Sequence, residues 1–332
     1  MHLEGALSAS TMFALAKRNS INLPTTDSAF SSPAALSSRY ENFTSLDDFL
    51  HYYYIGMSVL INASDYEDLA YDYFTHAAAA NLMHAELFFD PQAHTSRGVT
   101  YTTILSGFES ARERALEDYK ITSELIVCFL RHLPIPDCIS TFNDPALQSS
   151  LRTRKVIGIG LDSSEANFPP ELFTDIYTSA KELGAHRTAH AGEEGPPSYV
   201  TTALDDLHVQ RIDHGLRIAE SETLMSRIAA EGIMLTLCPL SNLRLGGVKR
   251  IADLPVRTFL HKGVRFSVNS DDPAYFGGYI GENFCAVQEA FDLSVEDWVG
   301  IVRWSVEGSW CGSDRKREIM DRLEEVRREW TG

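Results

Sequence analysis

Short apolar runs recur along the chain, and each of them ends in polar or glycine-containing residues. Runs of this length without regular polar alternation are typical of strands that are buried on both faces of a parallel sheet. The pattern predicts strands at 85–89, 124–131, 156–161, 186–192, 209–215, 233–239 and 264–270.

Helical patterns fill the intervals between these runs. Amphipathic spacing and capping residues predict helices at 64–83, 104–119, 170–184 and 221–232. The first of them is expected to begin at Ser64, with Glu67 completing a capping box. Strands that follow one another at steps of roughly 23 to 40 residues favour repeated β-loop-α units.

These repeated units predict one domain over residues 1–332, a (β/α)8 TIM barrel. Seven of the eight strands can be found in the sequence, so the first strand is expected to be truncated, with only its end present just before MHLEG.

The segments outside the repeat predict extra helices near both ends of the chain. Residues 20–63 are expected to form a polar loop followed by an apolar helix over 45–62. In the C-terminal segment, helical spacing places four apolar residues on one face, which we expect to dock against the domain. These residues are Ile319, Leu323, Val326 and Trp330.

Composition narrows the class of partner. Apolar residues make up 44% of the chain and charged residues 23%, as in globular proteins with a large core. The net charge of −17 argues against nucleic acid or an anionic membrane surface as partner, because both require basic patches. A small-molecule substrate is therefore expected, while the oligomeric state stays open.

Cysteine usage and the absence of targeting patterns indicate the cellular compartment in which the protein is expected. The five cysteines are scattered and form no CxxC pair, which argues against a disulfide framework and against a thiolate zinc site. We find no secretory signal pattern and no apolar run of membrane-spanning length. A cytoplasmic protein is expected, with the nucleus as a further compartment.

Unusual polar residues follow several predicted strands. In a (β/α)8 barrel, functional side chains collect at the carboxyl ends of the strands. Any one of these residues alone has an ordinary structural explanation, as a core histidine, a helix cap or a solvated acid. Their coincidence on one face favours a metal site. The residues are His190, Glu193, His214, Asp271 and Asp272, together with His2 and Glu4 if MHLEG continues the first strand.

The types of candidate ligand narrow the metal. Imidazoles and a carboxylate without thiolates suit catalytic zinc, with iron or another divalent ion as the alternative. Zinc with an open coordination position lowers the pKa of a bound water to about 7. Glu193, three residues after His190, is placed to supply an acid or base beside the metal.

Four motifs in the same order, HAGEE, RIDHG, LCPLSN and SVNSDDP, resemble those of the adenosine/adenine deaminase family of zinc-dependent barrel hydrolases. HLEG is similar to the second half of that family's N-terminal HxHxxG motif. The resemblance covers almost the whole chain. HLEG, VIGIGLDSSE, VCFLRHL and HAGEEGPPSYV are most similar to the adenine-specific members, especially fungal ones, whereas nucleoside enzymes tend to show HLDG and LAGDE.

The resemblance implies an activity and roles for the residues around the metal. It implies hydrolytic deamination of adenine to hypoxanthine and ammonia in purine salvage, with one zinc ion per chain. By position in the motifs, His2, His190 and Asp271 are implied to be metal ligands. Glu193 is implied to protonate N1 of the purine, and His214 to orient and help deprotonate the attacking water.

Three further residues are implied to bind the substrate. Asp272 matches the residue that hydrogen-bonds the purine N7. Ser163 aligns with the glycine whose backbone meets N3 in the nucleoside enzymes. Glu4 stands where those enzymes contact the ribose, so in this chain it is expected to help close a smaller pocket.

The chain departs from the family pattern at its start. The family has another histidine two positions before His2, so three of the four expected ligands are present. Three interpretations are open: a shortened sequence or a start at the wrong methionine, a short form that binds metal weakly, or a metal-poor inactive homologue. The intact HAGEE, RIDHG and SVNSDDP motifs favour the first. A deaminase of adenosine or of another 6-aminopurine is the alternative enzyme.

Overall fold

The sheet consists of parallel strands that pair in chain order. In the computed structural model, which describes residues 1–331, seven strands form one curled sheet with helices around it. The strands are β1 (His84–Phe89), β2 (Thr122–Leu130), β3 (Gly158–Asp162), β4 (His186–Ala191), β5 (Arg211–His214), β6 (Met234–Leu237) and β7 (Arg265–Val268). The predicted TIM-barrel class is confirmed, and each predicted strand overlaps an observed one.

Helices connect the strands, as parallel pairing requires. The α-helices are α1 (Ala9–Arg18), α2 (Pro33–Tyr40), α3 (Leu46–Met57), α4 (Ala63–Ala79), α5 (Pro91–Thr95), α6 (Tyr101–Tyr119), α7 (Ile135–Phe142), α8 (Pro145–Arg152), α9 (Thr174–Glu182), α10 (Pro197–Asp205), α11 (Glu222–Glu231), α12 (Pro239–Arg244), α13 (Val256–Lys262), α14 (Pro273–Phe276), α15 (Ile280–Phe291), α16 (Val295–Gly308) and α17 (Ser313–Thr331). Short 3-10 helices lie at Glu4–Ala6, Ser28–Ser31, Pro170–Phe173, Leu216–Glu220 and Ile251–Asp253. Among residues 1–331, none of these helices has the length and apolar character needed to cross a membrane.

The predicted polar loop after residue 20 is wrong over α2. Ser32 caps this helix by accepting the N–H of Ala35, and Pro33 occupies its first turn. Leu36 and Tyr40 are four residues apart and both are buried, so one face of the helix packs on the domain. The segment is rich in serine, so its two buried apolar residues did not stand out as a helical pattern.

The capping box predicted at Ser64 and Glu67 is also wrong. The box is formed two residues earlier, by Asn62 and Asp65, because the Asp65 carboxylate accepts the N–H of Asn62 at 2.8 Å. The Glu67 carboxylate instead accepts a hydrogen bond from Arg114 on the neighbouring helix α6. The helix therefore begins at Ala63.

The first three residues of the chain lie between the carboxyl ends of β1 and β7. Phe88 donates its N–H to the Met1 carbonyl and accepts from the Leu3 N–H, both at 2.9 Å, in a parallel bridge. On the other side, the His2 N–H donates to the Asp271 carbonyl at 3.1 Å. His2 thus occupies the rim at which the other strands end, as expected.

An ion pair crosses the barrel interior near the amino ends of β4 and β5. Arg211 pairs with Glu86 of β1, and its guanidinium lies 4.1 Å from the ring centre of Trp310. The indole stacks on His186 with ring centres 4.5 Å apart. These contacts connect β1, β4 and β5 with the loop between α16 and α17.

A cavity of about 510 Å³ lies between β1 and β7 and extends to the C-terminal helices. Ile319, Leu323 and Val326 of α17 line it, so this part of the predicted docking face does point toward the domain. Trp330 is 74% exposed, and its predicted docking is wrong. It lies in the last turn of α17, beyond the part of the helix that lines the cavity.

Candidate active site

The three predicted metal ligands meet at the carboxyl ends of the strands. The Nε2 atoms of His2 and His190 lie 3.2 Å apart, and Nε2 of His2 lies 3.6 Å from an oxygen of Asp271. One ligand atom of each residue falls within 4.8 Å of the others, and all three residues are buried. Strand β4 supplies His190, the turn after β7 supplies Asp271, and the stretch beside β1 supplies His2.

Both imidazoles are held in the neutral form that binds metals. Burial lowers the pKa of His2 and of His190 well below the usual range, with further lowering of His2 by the His190 ring and of His190 by the His214 ring. Each ring presents its other nitrogen to a carboxylate. Nδ1 of His2 lies 3.5 Å from Asp162, and Nδ1 of His190 lies 3.6 Å from Asp213. Carboxylates in this position orient histidine ligands.

The donor set fits a divalent cation. Two neutral imidazole nitrogens and a carboxylate oxygen converge in one buried volume, and zinc accepts such ligands with a position left for water. Cys128 and Cys238 also lie beside these groups. Burial raises the pKa of both thiols, so they stay protonated and are poor ligands near neutral pH.

Glu193 and His214 form a pair beside this set. Nε2 of His214 lies 3.7 Å from Oε2 of Glu193 and 3.8 Å from Oδ2 of Asp271. Burial raises the pKa of Glu193 to about 8, with a further contribution from the charge of Asp271. Burial acts to lower the pKa of His214, but the carboxylates of Glu193 and Asp271 outweigh it and raise the pKa. The arrangement places two titratable groups with raised pKa values next to each other.

Backbone strain coincides with the predicted site. Ser163, His214 and Asp271 are non-glycine residues with φ of 72°, 61° and 56°. Such conformations cost free energy and concentrate where a side chain must be aimed into a functional site. Each of these residues stands at or just after the end of a strand, where the chain turns away from the barrel.

The side chain of Asp272 lines a small enclosed pocket above the metal set. Its Oδ1 atom has no hydrogen-bond partner among residues 1–331, and burial raises the pKa of this carboxyl well above the usual range. Gly5 packs directly on it: a Cβ at position 5 would lie 2.6 Å from the Asp272 Cα. The glycine of HLEG therefore allows the N-terminal turn to approach Asp272.

Ser163 lies on the opposite part of the pocket wall. Its hydroxyl lies 3.1 Å from the Tyr54 hydroxyl and 2.7 Å from Nδ1 of His132. These contacts connect the end of β3 with helix α3 and with the loop after β2. The hydroxyl is thus fixed in direction by two neighbours.

Glu4 is fully buried but does not line the small pocket, which differs from its expected place in the pocket wall. Its Oε1 atom accepts the Asp90 N–H at 3.1 Å and lies 3.0 Å from Nε2 of His94. Arg97 donates to Nδ1 of His94, so the Nε2–H of His94 points to Glu4. Burial raises the pKa of Glu4 to about 7. Glu4 shapes the pocket through Asp90, which does line it.

Two acidic residues of the pocket wall were not predicted from the sequence. Asp90 follows β1 and Asp162 ends β3, and both carboxyls are buried. Burial and the charge of Glu4 raise the pKa of Asp90 to about 7, and burial and the charge of Asp90 raise that of Asp162. Their position at the ends of strands could have identified them as site residues, since His190 and Asp271 were identified in that way.

Helix α3 covers the pocket with apolar and aromatic side chains. The residues are Leu46, Phe49, Leu50, Tyr53 and Tyr54. The enclosed volume is about 30 Å³, enough for roughly two water molecules. A ring compound is larger than this volume, but the cavity of about 510 Å³ described above also reaches His190, His214 and Asp271.

The comparisons with known proteins identify the family. The profile described as Adenosine deaminase matches residues 1–326. The chain belongs to this family, and the resemblance seen in the motifs is confirmed.

Individual relatives cover the chain at full length. A Schizosaccharomyces pombe protein named Adenine deaminase is 53% identical over 331 residues, which span 100% of this chain and 90% of the relative. The crystal structure of adenine deaminase from Arthrobacter aurescens has a TM-score of 0.92 and 42% identity, covering 98% of this chain and 97% of that one. The structure of an amidohydrolase from Burkholderia ambifaria, solved with bound Zn, has a TM-score of 0.86 and 27% identity. The match covers 99% of this chain and 91% of that one.

Proposed function

We propose that this protein is an adenine deaminase of purine salvage, which converts adenine and water into hypoxanthine and ammonia with one zinc ion per chain. The observation that carries the proposal is the position of Glu193, a buried acid whose pKa is about 8, 3.7 Å from His214 and beside the metal set. The relatives named adenine deaminase support the free base as substrate. The zinc-bound amidohydrolase supports the metal.

His2, His190 and Asp271 would hold the zinc ion. Bound there, zinc supplies Lewis acidity, which makes water a usable nucleophile near neutral pH. The fourth ligand that the family motif contains is not among residues 1–332. Two histidines and one carboxylate are nonetheless a ligand set that catalytic zinc sites use.

The chain's own residues move the protons. Glu193 donates its proton to the purine N1, which makes C6 electrophilic, while His214 accepts a proton from the attacking water. The leaving amino group then takes the proton from His214 and departs as ammonia. The new hydroxyl on C6 returns its proton to Glu193, so both residues end as they began. The product keeps the proton on N1 and a carbonyl at C6.

Two features of the pocket support adenine over adenosine. Helix α3 closes the pocket over a small volume, and the Glu4 carboxylate is engaged by Asp90 and His94 instead of being free for a ribose hydroxyl. Asp272 is proposed to meet N7 and Ser163 the N3 edge of the base. A deaminase of adenosine or of another 6-aminopurine remains the alternative that the experiment must separate.

The test is a comparison of kcat/KM for adenine and adenosine by ammonia release, using the zinc-supplied chain. We expect clear preference for adenine and loss of turnover after chelation. A preference for adenosine would favour the alternative enzyme. Negligible zinc content together with no turnover of either compound would favour a metal-poor inactive homologue.

We also propose that the protein works in the cytoplasm, with the nucleus as a further compartment. The cysteines that the structure describes as free, four of them buried, support a reducing environment. Localisation of the tagged full chain by fluorescence microscopy tests this part of the proposal.

A further inference from the structure

A buried carboxylate lies directly beneath the turn that carries Glu193. Glu165 is fully buried, and its side chain accepts three backbone N–H groups of that turn. The donors are Gly192 at 3.2 Å, Glu193 at 3.4 Å and Gly195 at 2.5 Å. Three donors on one side chain fix the path of the peptide units on both sides of Glu193.

Arg131 completes the arrangement from the loop after β2. Its Nη1 atom donates to the carbonyl of His190 at 2.9 Å and lies 3.9 Å from Oε1 of Glu165. Its Nε atom donates to the carbonyl of Phe168 at 2.8 Å. The same guanidinium thus contacts both the Glu165 side chain and the backbone of His190.

The turn is shaped to fit over this carboxylate. Gly192 has φ of +74°, a conformation that side chains rarely adopt. A Cβ at Gly195 would collide with Oε2 of Glu165 and with the Tyr199 ring. The glycines of HAGEEG therefore allow the backbone to approach Glu165 closely.

We propose that Glu165, held by Arg131, is a positioning residue for the deamination, and that it acts by fixing the Glu193 carboxyl at the height of the purine N1. This inference rests on the proposed function. Glu165 makes no contact with the substrate pocket in this arrangement and works through the backbone of Glu193. Its role is distinct from that of Asp162 and Asp213, which face the histidines.

The main test is a double-mutant cycle with Glu165→Gln and Glu193→Gln. Gln at position 165 keeps the shape but replaces one accepting oxygen by a donor that faces the N–H groups of the turn. We expect kcat for adenine to fall by about 10- to 100-fold with KM changed by less than about threefold, because misplacing a catalytic group by about 1 Å has costs of this order. In the Glu193→Gln background the same change should lower kcat by less than about twofold, because residues that act as a unit are not additive.

Glu182→Gln is the control, since it removes an exposed carboxylate from the end of α9, outside this turn. It should leave kcat and KM close to those of the unmodified chain. Unchanged kcat in Glu165→Gln, or full additivity with Glu193→Gln, would overturn the proposal. So would a loss of activity that merely follows a loss of zinc from the variant.

Two further measurements keep the proposal testable. If Glu165→Gln does not fold, Arg131→Lys keeps the charge but cannot hold both the His190 and Phe168 carbonyls, and it should show the same non-additivity with Glu193→Gln. Amide hydrogen exchange of the peptide over 190–196 should become faster in either variant. Because this readout needs no turnover, unchanged exchange counts against the positioning role even if the unmodified chain fails to deaminate adenine, a result that would refute only the proposed function.

Discussion

The Nε2 atoms of His2 and His190 lie 3.2 Å apart although 188 residues separate them in the chain. Neither ring is protonated near neutral pH, because burial lowers both pKa values. Two neutral nitrogens at this distance beside the Asp271 carboxylate form a site for a cation. The relationship joins the first residues of the chain to the fourth strand of the sheet.

Replacing His2 tests this relationship. His2→Ala should lower zinc affinity by at least about 100-fold, since outer partners of metal ligands alone account for losses of 10- to 100-fold. Competition titration with a chelating dye measures the affinity. His261→Ala, at an exposed position on α13, is the control and should bind zinc normally. Equal affinity in both variants would exclude His2 as a ligand.

Glu193→Gln should lower kcat for adenine by about 10²- to 10⁴-fold, the usual contribution of a general acid. The amide keeps the volume of the side chain but has no acidic proton to donate. Binding of hypoxanthine, measured by calorimetry, should change much less than turnover. Turnover within a few fold of the unmodified chain would assign the acid to another residue.

The pH dependence of kcat/KM should report Glu193. The group must be protonated to act on N1, and its pKa is raised to about 8. Activity is therefore expected to decline as the pH rises through about 8. Steady-state rates across that range, with zinc content checked at each pH, measure the profile. A profile that stays flat beyond about pH 9 would contradict the assignment.

Ser163→Ala should lower kcat/KM for adenine by roughly 3- to 10-fold, the equivalent of one hydrogen bond of ordinary strength. The change also removes the contacts of the hydroxyl with Tyr54 and His132, so the melting temperature is measured in parallel. Ser37→Ala, at an exposed position on α2, serves as the control. An unaltered kcat/KM in Ser163→Ala would exclude the hydroxyl from substrate binding and leave the backbone of Ser163 as the only contact with N3.

Glu86→Gln tests the ion pair with Arg211 inside the barrel. Burial opposes ionisation of Glu86, but Arg211 outweighs it and lowers the pKa to about 2. Removing one partner of a buried pair should reduce the free energy of unfolding by about 3–5 kcal/mol near neutral pH.

The lowered pKa of Glu86 also predicts how the stability difference between the variant and the unmodified chain changes with pH. The stability that Glu86 contributes is present above its unfolded pKa of 4.5 and is lost as pH falls toward 2. The difference in denaturant midpoint between Glu86→Gln and the unmodified chain should therefore shrink as the solution is acidified below about pH 4.5. A difference that is constant with pH would show that the charge of Glu86 is not responsible.

Much of the fold could be predicted because strands that are buried on both faces of a sheet have a recognisable apolar sequence. The strands of a parallel barrel are short apolar runs, and their polar ends lie on one rim, which is how His190, His214 and Asp271 were recognised as neighbours. Helix α2 was missed because only Leu36 and Tyr40 mark its buried face within a serine-rich segment.

The orientation of individual side chains could not be predicted in the same way. Glu4 has the expected place in the motif, yet its carboxylate turns toward His94 on a different helix. Asp162 and Glu165 stand in a quoted motif, but their roles depend on which groups the neighbouring strands bring opposite them. Propensity and periodicity describe one segment at a time and contain no information on contacts between side chains of different segments.

By itself, the sequence determined the parallel strands, the rim residues and the family, because hydrophobic periodicity and motif order are properties of the chain. Only the tertiary structure decided that His2 faces His190, that Asp213 lies beside His190 and that Glu165 accepts from the turn of Glu193. These contacts join residues far apart in the chain. The register between strands and the curl of the sheet set their distances, and both arise only when the whole domain packs.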